Sequence, residues 1–233
     1  MKIAIFGANG PTGRLLTRQA LAEGHSVTAI TRHPDQFPLE HEDLRVMSGD
    51  VYHRESVENA VAGQEAVLST LGVPFSRKPI TVYSQGIGHI LHAMNRFGVR
   101  RLLCVSSSAT EPHVDPEGGF FFERIVQPMI TNTIGKTLYE DMRRMEEIVR
   151  NSDLDWTIIR PSGLFETPEV TPYQTAENHI RGRFTSRADL ANCMLRQLTS
   201  DRYLRKTAAV ATVEVQPSML KLIMREAFQS KHK

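Results

Sequence analysis

Tyr139 and Arg143 stand four residues apart in the stretch GKTLYEDMRR (135–144). On a helix, positions i and i+4 share a face. A phenol so placed could donate its proton to an alkoxide forming on a substrate. A neighbouring charge would have to lower a pKa that is ordinarily about 10. Arg143 could supply charge, but being always protonated it could not pass a proton on. Lys136, three residues before the tyrosine, is a second basic neighbour. The same residues also read as one face of an amphipathic helix with no chemistry. A second group is Ser106, Ser107 and Ser108 in VSSSA (105–109). Their hydroxyls can donate and accept toward a ligand, or satisfy backbone groups at a strand end.

Other chemistries find less support. Nine histidines are present, and His89 and His92 lie one turn apart, but no third ligand completes a metal site; no metal is expected. The two cysteines, Cys104 and Cys193, read as small core residues rather than a disulfide or a cluster. The 28 basic and 26 acidic residues nearly cancel, giving no electrostatic reason for nucleic-acid binding. No apolar run approaches the roughly 18 residues a membrane span needs. The apolar stretch Ile3 to Phe6 is too short for a signal peptide and runs into a glycine turn. A cytoplasmic location is the expectation.

Six short apolar runs alternate with helical patterns. Strands are predicted at 2–6, 26–30, within 43–50, 66–72, 101–109 and 155–161. Helices are predicted at 12–24, 54–63, 81–98 and about 135–151. Near-continuous apolar strands alternating with helices imply an α/β, Rossmann-type doubly wound parallel sheet with helices on both faces. All 233 residues are expected to form one such domain. From about residue 161 the pattern changes: Pro161, Pro168 and Pro172 precede a helix at 187–199, a strand at 206–212 and a helix at 217–229. Ligands of such sheets sit beyond the carboxyl ends of the strands. This C-terminal part is therefore expected to supply substrate-side loops and helices.

The strongest motif is GANGPTG, directly after the first strand and opening the first helix. Gly7 permits the tight turn, Gly10 lets the backbone approach a pyrophosphate, and Gly13 lets helix and strand pack. Asn9, Pro11 and Thr12 complete this expected cofactor-binding turn. The helix start offers free N–H groups and a partial positive charge to phosphates. At the end of the second strand, where NAD-binding chains carry an acid, this chain has Thr31, Arg32 and His33. Arg32 could pair with a 2′-phosphate, so NADP(H) is favoured over NAD(H). Asp50 and Val51, ending the third strand, could meet the adenine, Asp50 also serving as a helix cap. Leu71 and Gly72 end the fourth strand beside the cofactor path, and Ser106 is placed at the cofactor.

At this point the chain resembles a known family. KIAIFGANGPTGR, SGDV, VSSSA, LYEDMRRMEEIVRNSDLDWTIIRP and FTSRADLANCML resemble the atypical short-chain dehydrogenase/reductases of the NAD(P)H-binding, NmrA-like group. The branch containing flavin reductase/biliverdin-IXβ reductase is particularly similar. The resemblance spans about residues 2–212. It implies that Ser108, the last serine before the alanine, contacts a substrate carbonyl, and that Pro161 passes the nicotinamide carboxamide, with Ser162, Gly163 and Leu164 continuing that wall. It also implies a register in which the usual catalytic tyrosine and lysine fall near Leu138 and Met142, an apolar pair. Arg160 and Asp189 read as structural.

The segment EGGFFFERIVQPMI (117–130) could be core, an apolar lid for a planar acceptor, or, through 118–130, a protein contact. The reading that follows is an NADPH-dependent reductase passing hydride to a planar or conjugated small-molecule electron acceptor, flavin- or quinone-like. Its alternatives are an NADP(H)-binding redox sensor of the NmrA type, or a carbonyl reductase using Tyr139. The expected catalytic residues are Ser108 and Tyr139.

Overall fold

The computed structural model of the protein describes residues 1–76, 78–111 and 135–214. The expected helix at 217–229 and the segment 117–130 lie outside the described residues.

An eight-stranded sheet runs in the order β3-β2-β1-β4-β5-β6-β10-β8. Its strands are β1 (Lys2–Phe6), β2 (Ser26–Thr31), β3 (Leu44–Ser48), β4 (Ala66–Ser69), β5 (Arg101–Val105), β6 (Asp155–Pro161), β8 (Tyr173–Glu177) and β10 (Lys206–Thr212). Every pairing is parallel except that of β8 with β10, which is antiparallel. The expectation of a parallel sheet thus holds up to β10 and is corrected at that edge. β7 (Gly163–Phe165) and β9 (Phe184–Ser186) pair with each other as a separate small sheet.

Parallel strands covered on both faces must be apolar on both, and β1 is: Ile3, Ala4, Ile5 and Phe6 are all buried. Ala4 and Phe6 join a core with helices α2 (Arg54–Val61), α3 (Val82–Phe97) and α4 (Lys136–Arg150). Ile3 and Ile5 join the opposite core with α1 (Pro11–Ala22) and α5 (Arg187–Leu198). Ile3, Ile5 and Phe6, fully buried, contribute roughly 1.5–3 kcal/mol each. The helices follow their sequence signals. Pro11 opens α1, where its missing N–H costs nothing. Gly98 closes α3 at φ +70°, a left-handed conformation that glycine adopts without penalty. Leu138, Met142, Met145 and Val149 form the buried stripe of α4. Cys104 and Cys193 are free and buried in the two cores, and burial pushes both thiols up, Cys193 to about 12.

Strand order reverses between β1 and β4, where the crossovers lead away in opposite directions. That crevice, at the carboxyl ends of the strands, is where doubly wound sheets bind ligands.

Candidate cofactor site

Gly7 is the first residue beyond β1 and sits at that crevice. Its φ is +76°, and an added Cβ would stand 2.6 Å from the Thr70 carbonyl oxygen beyond β4. The Thr70 hydroxyl donates to the carbonyls of Phe6 (3.1 Å) and Gly7 (3.3 Å), fixing the turn from the neighbouring strand. The Gly10 amide donates back to the Gly7 carbonyl at 3.0 Å. A Cβ on Gly13 would approach that same carbonyl oxygen to 2.2 Å. Gly10 itself is less confined, with its nearest such contact at 3.2 Å. Two glycines thus hold the turn together, and the third lies beside the opening of α1.

Gly10 is the N-cap of α1 and brings no side chain; no acid stands in the first turn. The amides of Thr12 and Gly13 therefore carry the positive end of the helix dipole without an internal counter-charge. Asn9 accepts from the Arg14 Nε at 2.9 Å and holds this exposed arginine beside the turn. Pro11 is exposed and Thr12 buried. This cradle fits a dinucleotide: backbone that a phosphate can approach, a helix N-terminus, and glycines where side chains have no room.

Parallel register brings the other expected residues to the same edge. Phe6 pairs with Ile30, so Arg32, exposed just past β2, lies alongside the turn. Val51 and Leu71, twenty residues apart in sequence, converge: both would touch a Cβ placed on Gly86 of α3, at 3.1 and 3.2 Å. Gly86 was not legible as a site residue, although a glycine inside a long helix costs about 1 kcal/mol and so invites a packing reason. Asp50 is half-buried, and its Oδ1 accepts from the Tyr52 amide at 3.0 Å. It does not cap α2, whose N-cap is His53; the helix-cap expectation is corrected to a local turn closed at Tyr52. Gly72 is exposed with open space around it. Pro161 ends β6, buried and paired with Val210 of β10.

The three serines separate. Ser106 is 3% exposed and makes no hydrogen bond through its hydroxyl. It lies close enough to the Glu146 carboxylate to favour the ionised form. Its hydroxyl lies in the interior, beside that carboxylate. Ser107 accepts from the Ala109 amide at 3.2 Å. Only Ser108 is exposed, at the start of a 3₁₀ turn spanning Ser108–Thr110.

A buried ion pair that the sequence reading did not find secures that turn. Arg160 of β6 grips Glu146 of α4 with two bonds, at 2.9 and 2.6 Å, and both residues are under 5% exposed. Arg160 also reaches Glu111 at 2.6 Å. Thr110 donates to Glu146, and Arg143 donates to the Thr110 carbonyl at 2.8 Å. Burial alone would push the Glu146 carboxyl up. The Arg160 bonds, with Ser106 and Arg150, outweigh it and hold the carboxyl below its ordinary range. Arg160 is structural, as expected.

Tyr139 is half-buried against Phe75 of the loop after β4, with ring centroids 6.3 Å apart. Arg143 is bonded to the Thr110 carbonyl, and Lys136 is exposed, 4.0 Å from Glu140. Leu138 and Met142 face the core. Asp141, fully buried, accepts from the Tyr83 amide at 2.9 Å and from the Ser84 hydroxyl, capping α3 from another helix. Burial raises Tyr83 to about 12, so its phenol stays protonated while accepting from the Val73 amide. On the far side, Asp189 is structural as expected: it holds the Thr171 amide at 2.6 Å and the Thr212 hydroxyl. Ser162 spends its hydroxyl on the Gly182 carbonyl.

Among the described residues no cluster of histidine, cysteine and carboxylate side chains could hold a metal ion, and no helix is long and apolar enough to cross a membrane.

Comparison with known proteins bears on the family and the fold. A family model described as NAD(P)H-binding matches residues 7–201. An uncharacterised protein of Mycobacterium tuberculosis is 33% identical over 116 residues, or 49% of this chain, but that match spans only 13% of the relative's length. An uncharacterised sugar epimerase of Bacillus subtilis is 28% identical over 85% of this chain and 88% of its own. Among solved structures, a short-chain dehydrogenase/reductase from Veillonella parvula in complex with NADP superposes with a TM-score of 0.76 at 20% identity, covering 94% of this chain and 99% of that one. An anaerobillin reductase from Escherichia coli O157:H7 gives 0.71 at 20% identity, covering 94% and 100%. These two show the shared Rossmann-like fold. With its glycine turn at the switch point and the family model spanning most of its length, the chain belongs to the NAD(P)H-binding family.

Proposed function

We propose that the protein is an NADPH-dependent reductase that passes hydride to a planar or conjugated small molecule, flavin- or quinone-like. One observation carries the reaction type: on α4 the position four residues beyond Tyr139 holds Arg143, not a lysine. Arg143 is engaged with the Thr110 carbonyl, and Leu138 and Met142 are turned into the core. Reducing a ketone to an alcohol leaves charge on one oxygen and calls for a positioned acid. A conjugated acceptor spreads that charge and takes its proton from solvent.

When bound, the reduced nicotinamide supplies the hydride. The protein's part is then chiefly positioning. The glycine turn and the α1 terminus hold the phosphates, Arg32 the 2′-phosphate, and Val51 with Leu71 the adenine end. Ser108, exposed at the end of β5, contacts the acceptor or the nicotinamide. The Glu146–Arg160 pair keeps the Ser108 turn in place. That a Bacillus relative is named an epimerase does not alter this reading, because epimerisation through a ketone also needs proton cycling at a hydroxyl.

The test is NADPH oxidation followed against FMN, FAD and a quinone panel. Turnover with at least one acceptor supports the reading; tight NADPH binding without turnover refutes it. The latter result, with unequal affinities for NADP⁺ and NADPH, would favour a redox sensor, which an arginine in place of a lysine at position 143 also permits.

A further inference from the structure

Arg14 directly follows the last glycine of the turn and is the fourth residue of α1. Its Nε donates to the Asn9 Oδ1 at 2.9 Å, which fixes one edge of the guanidinium to the glycine turn itself. The packing of α1 sets the side on which it lies. Thr12 and Gln19 face α5: Arg187 Nη1 donates to the Thr12 hydroxyl at 3.0 Å, and Gln19 Nε2 to the Ala188 carbonyl at 3.1 Å. At about 100° per residue, Arg14 is turned roughly 200° from Thr12, away from α5. α1 lies against β1 and β2, whereas α5 lies against β5, β6 and β10. The side away from α5 is therefore the β2 side, and Arg32 is exposed just past the carboxyl end of β2.

Helix formation gives no account of positive charge on this face. A cation in the first turn opposes the helix dipole. Arg18, one turn further on and also exposed, repeats the charge at i+4, where like charges repel. No acid stands in the first turn of α1 or between Thr31 and His33. Among the described residues neither Arg14 nor Arg32 forms an ion pair, and the Nη groups of Arg14 make no hydrogen bond.

We propose that Arg14 is a second ligand for the 2′-phosphate of NADP(H), meeting it from α1 as Arg32 does from β2. The inference rests on the reading that Arg32 pairs with that phosphate. A phosphate monoester carries about −1.5 to −2 charges at neutral pH, more than one guanidinium neutralises. Two guanidiniums match it, each with paired N–H donors for its oxygens. Asn9 holds one of them in place beforehand, so binding requires less ordering.

The test uses Arg14→Met, Arg14→Lys and, as a control, Arg18→Met in the full chain. Dissociation constants for NADPH and NADH are measured by nicotinamide fluorescence. Adenosine 2′,5′-bisphosphate and 5′-AMP, which differ by the 2′-phosphate alone, are titrated as competitors, and the thermal midpoint is read without ligand. Arg14→Met is expected to weaken NADPH roughly tenfold to hundredfold and NADH by less than about threefold. Competition by the bisphosphate should weaken along with NADPH, while that by 5′-AMP and the midpoint stay nearly unchanged. Arg14→Lys, which keeps the charge without the fork, should recover part of the loss. Arg18→Met should leave NADPH within about threefold of the wild type. Unchanged NADPH affinity in Arg14→Met would overturn the proposal, as would equal losses for NADPH and NADH. An equal loss in Arg18→Met would also overturn it, since diffuse charge would then explain the effect. If Arg14→Met does not fold, Arg14→Lys decides: selective weakening of NADPH supports the proposal, and no change overturns it. Wild-type protein that binds NADPH no better than NADH would refute the reading of Arg32 and the proposal with it. A wild-type preference for NADPH that survives in Arg14→Met refutes only the role of Arg14.

Discussion

Gly13 lies against Gly7 so closely that a Cβ on residue 13 would stand 2.2 Å from the Gly7 carbonyl oxygen, while one on Gly10 would keep 3.2 Å from that same atom. The two positions therefore separate folding from binding. Gly13→Ala should cost about 1–3 kcal/mol of stability, because backbone must move. Gly10→Ala, at φ −71° and ψ 163° where alanine is comfortable, should leave stability within about 1 kcal/mol. It should still weaken NADPH roughly tenfold, because the new methyl crowds the phosphate approach. Denaturant titration and NADPH titration on the two variants check this; equal effects on both properties would contradict it.

Arg32 stands exposed past β2, in a stretch, Thr31 to His33, that carries no acid. Arg32→Asp is expected to weaken NADPH roughly tenfold to hundredfold and NADH little. Paired dissociation constants decide it, and equal losses would remove the NADP(H) assignment.

Asp141 caps α3 from α4, and its carboxylate takes the Tyr83 amide, the Ser84 hydroxyl and Arg144. Asp141→Ala leaves buried donors without an acceptor and should cost about 2–3 kcal/mol. Asp141→Asn keeps an oxygen and should cost less. Urea denaturation midpoints of both variants provide the measurement.

The Glu146–Arg160 pair gives a pH signature. The Glu146 carboxyl is held below its ordinary range in the folded protein, so its contribution is full above the unfolded value of about 4.3. That contribution is lost as pH falls through the lower folded value. Glu146→Gln should destabilise the protein by about 3 kcal/mol at neutral pH and flatten the acid side of its stability profile below about pH 4.3. Denaturation at several pH values tests it; an unchanged acid slope would show that other carboxylates set it.

Much of this molecule was legible from local pattern. The apolar runs of β1, β4, β5 and β6, the glycines at 7, 10 and 13 and the closing Gly98 each carry their signal within a few residues. β7, β8 and β9 do not. β8 reads YQTAE, is only half-buried at the sheet edge, and exists because β10 offers it a partner. Glu146 and Asp141 carry no local signal of their buried roles, since a helix sequence does not say that Arg160 and the start of α3 lie against it. Ser106 and Ser108 stand in one run of three serines whose burial no local pattern sets; the 3₁₀ turn after β5 buries one and exposes the other. Arg14 carries no local mark of the side it faces, which only the packing of α5 on α1 sets.

Hydride is proposed to pass to a conjugated acceptor without a protein phenol as acid. The most direct test is NADPH turnover by Tyr139→Phe relative to the wild type, with FMN or a quinone as acceptor. Turnover by both proteins is expected, differing by no more than about threefold, well short of the roughly hundredfold or greater loss expected on removing a general acid. A loss of that size in the variant would contradict it and restore Tyr139 as a catalytic acid.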